Sequence, residues 1–285
     1  RSTLPAFNEV WQRQFRASFL KQEQQFPENT CFLIGSSGGM DSMLLLHLMS
    51  YLDPEKIRAI YIDHQLQSLS ASWGTFVSDQ CAALKIPCIV EAVNVQSGNL
   101  EQQAREARYQ AYLKHLKPNE ILVLAHHQQD QAETLILRLL SGAGVQGLSA
   151  MKQVDVREQF TLWRPLLDIS REQICQWAAQ LDVHNIEDSS NLNTDYDRAW
   201  CRHELWPMLQ NRYPKMQQAL SRTSYLMQDA DEILHDVLQH DWVFCGTAVE
   251  LDLKKLSELS TARQRQLLSA WMKGQDRYRS SFEMV

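Results

Sequence analysis

The sequence predicts an α/β protein, a doubly wound parallel sheet of the Rossmann-like kind, followed by a smaller, all-helical second domain that reads as truncated. Three observations carry this. Short apolar runs alternate with amphipathic stretches of about 10–15 residues, the pattern of β-α-β units. One such run, at 31–34, passes through a glycine turn straight into an apolar periodic segment. Strand character then fades near residue 210, and helical periodicity takes over.

Residues 7–25 place Phe7, Val10, Trp11, Phe15 and Phe19 at helical spacing, so the aromatics of this first helix belong in a core. Cys31-Phe32-Leu33-Ile34 is a strand, the turn after it admits only small residues, and Met43-Leu44-Leu45-Leu46-His47-Leu48-Met49 continues as a helix. A second strand at 57–62 ends at Asp63-His64. Residues 71–85 are helical, 88–95 form a third strand and 101–116 another helix. The wholly apolar run 121–125 is what a central parallel strand requires. A helix at 129–140, a strand at Thr161–Trp163 and a helix at 171–181 complete a first domain, residues 1–210. Residues 211–285 carry helices at 213–240 and 253–274. They end at Phe282-Glu283-Met284-Val285, which reads as the start of a further element and suggests a fragment.

With 285 residues, 44% of them hydrophobic, and eight tryptophans, the chain can bury a sizeable core. Its apolar runs are too short for a membrane span, and the first residues lack an apolar leader, so the expected setting is the cytoplasm. Six cysteines without a C-x-x-C pair fit reduced thiols and argue against zinc ribbons and iron–sulfur ligation. A net charge of −6 argues against a surface that is basic throughout, but not against a local basic patch.

The turn at 35–42 suits a phosphate chain. Gly38 and Gly39 allow close approach of the backbone, Ser37 and Ser42 offer hydroxyls, and the N–H groups of the helix start face an anion. It is not a Walker A loop, because Met40 and Asp41 follow the second glycine where a lysine is required. The Asp41 carboxylate points instead to a divalent cation beside the phosphates. An ordinary capped strand-to-helix turn is the plain alternative. In open α/β sheets ligands sit at the carboxyl ends of strands where strand order reverses, which gathers 37–42, Asp63-His64 and His126-His127 around one pocket.

Asp130 and Glu133 are i,i+3 neighbours at a helix start. Beside His126 and His127 they could hold a metal ion or grip and deprotonate an amine, or simply answer the helix dipole. Arg105 and Arg108 share a helix face and either meet phosphates or pair with Glu101. Arg198 and Arg202, one turn apart, either contact a phosphate backbone or clamp Glu187 and Asp188. After Arg138, the glycine-rich stretch 141–148 reads as a flexible or tightly turned loop over the sheet edge, a plain linker unless a substrate sits there.

Together these segments resemble the tRNA(Ile)-lysidine synthetases, a branch of the PP-loop (N-type) ATP pyrophosphatases, over residues 30–215. Ser37-Gly38-Gly39-Met40-Asp41-Ser42 is similar to the S-G-G-x-D-S loop shared by PP-loop enzymes. More specific are the run from His126 to Thr134, similar to H-H-x-D-D-Q-x-E-T, and the stretch through Gly147-Leu148. Arg164-Pro165-Leu166-Leu167 and 187–191 with Arg198 and Arg202 add to the likeness.

The resemblance implies a ligase in which ATP adenylates the wobble cytidine of tRNA(Ile) with a CAU anticodon. Pyrophosphate then leaves, the side-chain amine of free lysine attacks, and AMP departs. It implies that ATP is held by Ser37, Gly38, Gly39, Met40, Asp41 and Ser42, with Asp63 and His64 along the adenine. Mg²⁺ would sit on Asp41 and Asp130, and His127 would touch the α-phosphate or the metal. Asp130 and Glu133 would take the lysine ammonium, with Arg105 and Arg198 completing that site. It also implies further C-terminal domains that grip the tRNA, and it leaves a homodimer open. Gln129, Gln65 and Ala199 depart from the family's usual Asp, Gly and Asn. The rivals are another PP-loop tRNA-modifying enzyme, such as a sulfur-transfer or amidotransferase-type ligase, and a degenerate module that binds tRNA or nucleotide without turnover.

Overall fold

In a computed structural model, which describes residues 9–65, 70–94, 100–186, 193–247 and 249–274, the chain enters through α1 (Val10–Glu23) and then alternates. The order is β1 (Cys31–Gly35), α2 (Met40–Leu52), β2 (Ile57–Asp63), α3 (Ser70–Ala83), β3 (Cys88–Ala92), α4 (Leu100–His115), β4 (Glu120–Val123) and α5 (Gln128–Leu140). A short α6 (Val145–Leu148), the strands β5 (Val154–Val156) and β6 (Thr161–Trp163), and α7 (Arg171–Gln180) follow.

The strands lie in the order β3-β2-β1-β4-β6-β5, with every neighbouring pair parallel except β5 against β6. Strand order therefore reverses between β1 and β4, which makes the gap at their carboxyl ends the switch point of the sheet. Alternation along the strands explains the two covered faces. Phe32, Ile34, Tyr61, Val123 and Trp163 enter one core with residues of α1, α2, α3 and α7. Leu33, Ile60, Leu122 and Leu162 enter the other, against Ala111 and Tyr112 of α4. The aromatics of α1 are core as expected: the Phe19 and Trp163 rings lie 5.1 Å apart, and Trp11 stacks on Trp177 at 4.3 Å.

Three readings need correction. The edge strand β5, absent from the sequence reading, is three residues long and turns into β6 with Arg157 N–H donating to Phe160 O (2.9 Å). The stretch 141–148 is not all linker, since α6 closes it and Arg138 Nη1 donates to Gly147 O and Ala150 O (both 2.9 Å). The single helix expected at 253–274 is two, α11 (Leu253–Glu258) and α12 (Thr261–Gly274), because Leu259 turns to extended backbone between them.

The chain clusters into two compact units, residues up to Glu133 with Met151–Ser221, and Thr134–Ala150 with the chain from Arg222 onward. The first holds the sheet. The second holds most of the long α10 (Met216–Cys245) with α11 and α12, around Cys245, Leu256, Leu259 and Leu267. Among the described residues no helix is long and apolar enough to cross a membrane, and all six cysteines are unbridged.

Candidate active site

The turn after β1 is held by its own hydroxyls. Gly38 has φ +84°, and a Cβ there would come within 2.9 Å of Ile186 Cδ1, so only glycine fits. Ile186 N–H donates to Gly38 O (2.9 Å) and fixes the loop from the far side. Ser42 Oγ donates to Gly39 O (2.9 Å) and accepts from Ser37 N–H (3.1 Å), while Ser37 Oγ lies 3.3 Å from Ser42 Oγ. Ser42 is thus buried as the pin of the turn, and Ser37 is the exposed hydroxyl. Met40 and Asp41 open α2, whose N-terminal end faces out of the switch point with the partial positive charge that anions favour.

Asp41 is paired with Arg171, through Oδ1 and Nη1. The sequence reading did not include Arg171. It is the first residue of α7, behind a Ser170/Gln173 capping box, and a cation in a first turn opposes the helix dipole. That mismatch was the available signal that a negative group lies opposite. The other Asp41 oxygen, Oδ2, is 3.7 Å from His127 Nε2.

His127 is buried and joins the β1 and β4 ends. Its Nδ1 accepts from Gln129 N–H (3.2 Å), which leaves the proton of the neutral ring on Nε2. That nitrogen faces two carboxylates, Asp41 and, at 3.6 Å from Oδ2, Asp130. Asp130 Oδ2 also accepts from the backbone N–H of His127 (3.0 Å). Burial alone would raise the Asp130 pKa. Electrostatic interactions with His127, Arg198 and His126, together with that backbone N–H, outweigh it and hold the carboxyl well below its ordinary range.

Glu133 is fully buried and saturated. Oε1 accepts from Arg202 Nε and from Gln129 Nε2 (both 2.9 Å), Oε2 accepts from Arg202 Nη2 (2.8 Å), and Arg198 Nε is 4.0 Å from Oε2. Arg202 also reaches Asp130 Oδ1 at 3.4 Å. Arg202 therefore closes the acid pair more tightly than Arg198 does. Gln129, a departure from the family pattern, is a ligand of Glu133.

Arg198 lies on α8 (Asp197–Trp200), which runs through a π-helical turn, Cys201–Leu205, into α9 (Trp206–Arg212). Pro207 has no N–H for His203 O and its ring crowds that carbonyl, which the wider turn accommodates. Arg202 sits on this turn, off the even stripe that i,i+4 spacing implies. The alternative clamp on Glu187 and Asp188 lies outside the described residues, as does the Glu101 side chain.

Arg105 lies 5.5 Å from the Tyr109 ring centroid; burial, then the like charges of Arg108, Arg198 and Arg157, lower its pKa against the opposing effect of Tyr109. At the β2 end, Asp63 is buried and accepts from Gln65 N–H (2.8 Å). Gln65 adopts φ 54°, the conformation that glycine favours at that position. Burial, then Arg108, lower the pKa of His64. Asp41, His127, Asp130, Glu133, Arg198 and Arg202 thus form one connected cluster, with Arg105 coupled to it through Arg198, and Asp63 and His64 on the neighbouring strand end.

Among the described residues no three His, Cys, Asp or Glu side chains form a metal cage. Mg²⁺ is commonly held by one or two carboxylates together with phosphate oxygens, and Asp41, half-exposed beside the loop, has the chemistry for that. Both oxygens of Asp130 already have partners, so it would have to release one to reach a metal.

The pattern of the PP-loop domain family matches residues 8–209. The tRNA(Ile)-lysidine synthase of Acinetobacter baylyi is 62% identical over 285 residues, covering all of this chain and 62% of that protein. That of Actinobacillus pleuropneumoniae serotype 3 is 38% identical over 250 residues, 87% of this chain and 59% of that protein. This chain thus spans about three fifths of the length of these relatives. Among solved structures, the U34-tRNA thiolase NcsA of Methanococcus maripaludis with its 4Fe-4S cluster superposes with a TM-score of 0.61 at 14% identity, over 78% of this chain and 81% of that one, a likeness of fold. A match spanning the whole sheet, with the glycine loop at its switch point, makes this chain a member of the PP-loop domain family.

Proposed function

We propose that this chain is the catalytic part of a tRNA(Ile)-lysidine synthetase, which uses ATP to attach free lysine to the wobble cytidine of tRNA(Ile) with a CAU anticodon. The observation that carries the reading is the meeting of two sites at His127. Nε2 of that residue is 3.7 Å from Asp41, beside the phosphate-type loop, and 3.6 Å from Asp130, in the acid pair. An adenylation followed by attack of an amine needs both halves, a cradle for a leaving pyrophosphate and carboxylates for an ammonium. The 62% identity to a tRNA(Ile)-lysidine synthase supports the same substrates.

In this reading the loop from Ser37 to Ser42 and the α2 N-terminus hold the triphosphate, and Asp63 and His64 border the adenine. Mg²⁺ on Asp41, with Asp130 as second candidate, would offset charge developing at the phosphates. Arg171 would have to release Asp41 for that carboxylate to hold Mg²⁺. His127 directs its Nε2 proton toward the reacting phosphate. Asp130 and Glu133 would bind the lysine ammonium, which must lose a proton before it attacks, since only the neutral amine is nucleophilic, and Arg105 and Arg198 would orient the substrates. Residues 1–210 form the catalytic domain, and 211–285 begin a helical, tRNA-binding region of a cytoplasmic enzyme.

The test is incubation of the protein with Mg²⁺, ATP, labelled lysine and the cognate tRNA transcript. Label is expected in the tRNA with release of AMP and pyrophosphate. Conversion of ATP to AMP with no lysine in the tRNA would overturn the reading.

A further inference from the structure

A phosphate chain calls for a positive partner, and the loop at the switch point has none of its own. From Cys31 to Leu52, across β1, the turn and the whole of α2, the chain carries no lysine or arginine. In a Walker A loop a lysine at the helix start meets the β- and γ-phosphates; here Met40 and Asp41 stand in its place. The cation at this turn comes instead from α7, where Arg171 Nη1 is paired with Asp41 Oδ1. Among the described residues no other ion pair involves Arg171.

The base of this side chain is fixed. Ser170 and Gln173 close a capping box around the start of α7, and Gln128 N–H donates to Ile169 O (3.0 Å), which ties the turn before α7 to the residue after His127. The tip is freer. The Arg171 side chain is 37% exposed and that of Asp41 30%, and a half-open ion pair adds little to stability. A cation in the first turn also opposes the dipole of α7. Neither stability nor the helix accounts for an arginine at this position, whereas an anion arriving at the mouth of the loop does.

We propose that Arg171 is a further catalytic residue, a guanidinium that leaves Asp41 when nucleotide binds and grips the β- and γ-phosphates. It supplies from a distant helix the charge that a Walker A lysine supplies from within the loop. The inference rests on the ATP reading above and extends it to a residue outside the glycine turn. In the adenylation step the carbonyl oxygen of the base bonds to the α-phosphorus, the bond from that phosphorus to the bridging oxygen breaks, and its electron pair leaves on pyrophosphate. Arg171 gives no proton in this step. It offsets the charge that collects on the leaving group, and its planar fork suits a pair of phosphate oxygens.

Calorimetric titration of pyrophosphate and of AMP into the full chain, with the fold checked by circular dichroism, tests this. In the wild type Asp41 both occupies Arg171 and repels an anion, and Asp41→Asn removes both effects. Metal-free pyrophosphate should therefore bind Asp41→Asn at least ~3-fold tighter than the wild type. Adding Arg171→Met should weaken that binding about tenfold or more, and Arg171→Lys in the same background should keep part of it. AMP, which lacks the β- and γ-phosphates, should bind these variants alike. Pyrophosphate that does not bind Asp41→Asn, or binds it regardless of Arg171→Met, overturns the inference. So does an equal loss for AMP, which would assign Arg171 to the upkeep of the site as a whole. ATP with Mg²⁺ is titrated into the wild type alongside. If it binds while pyrophosphate is indifferent to Arg171, the inference alone falls; if it does not bind, the ATP reading falls and the inference with it.

Discussion

Replacing Arg202 by Met removes the two charge-assisted bonds to Glu133, at 2.9 and 2.8 Å, and the 3.4 Å contact to Asp130, while keeping most of the side-chain volume. Glu133 has no exposed surface, so its charge then has no route to water. Breaking a buried pair from one side costs about 3–5 kcal/mol. Gln129 Nε2 still donates at 2.9 Å and Arg198 stands 4.0 Å away, and Arg202 itself is 36% exposed, so the expected loss lies near the lower end, about 3 kcal/mol. Glu133→Gln removes the charge instead and leaves Arg202 free to hydrate, so it should cost only about 1 kcal/mol. The double variant should recover about 2 kcal/mol relative to the sum of the singles. Urea unfolding followed by tryptophan fluorescence measures all three. A loss below about 1 kcal/mol for Arg202→Met, or strictly additive singles, would show that the clamp does not hold the acid pair.

Asp41→Asn should abolish pyrophosphate release if the metal role holds, with little loss of fold because its carboxylate is half-exposed; undiminished release removes Asp41 from the metal role. Gly38→Ala forces a side chain into φ +84° and against Ile186, and should cost about 2 kcal/mol and weaken ATP binding, read by unfolding and by nucleotide titration. Burial, with Arg164 next, holds the His126 pKa well below its ordinary value. Below about pH 6.5 the unfolded chain therefore takes up a proton that the folded chain refuses, and stability falls with falling pH by up to about 1.4 kcal/mol per pH unit. His126→Gln should flatten that slope, and unfolding curves at pH 7.5, 6.5 and 5.5 with the same slope in both proteins would refute the assignment.

Much of this architecture is written in local periodicity. The near-continuous apolar runs 31–34, 57–62 and 121–125 mark the strands, because residues facing two cores must be apolar on both sides. The glycine loop and the i,i+3 acids were legible for the same reason, since spacing alone sets which atoms meet. What stayed hidden depends on distance in sequence. Arg171 and Asp41 are 130 positions apart and Arg202 and Glu133 are 69, and no local pattern couples such pairs. Gln129 stood out only as a departure from the family's usual Asp and is a donor to Glu133, because an amide can satisfy a carboxylate as a neighbouring aspartate cannot. Ser42 looked like a ligand donor and is spent on the loop itself. β6 was legible from the apolar Leu162-Trp163, whereas β5, equally short, has Asp155 at its centre and shows no apolar run.

The pairing of Asp41 with Arg171, and of Asp130 and Glu133 with Arg202, means that each acid already has a tethered cation. If a metal ion or ammonium binds at these acids as proposed, it would trade places with a guanidinium whose effective concentration is set by the fold. Affinity is then a difference between two like contacts. Because added salt weakens the outgoing and incoming pairs alike, ligand binding at these acids should vary little with ionic strength. A guanidinium displaced in that way would be free to meet another anion.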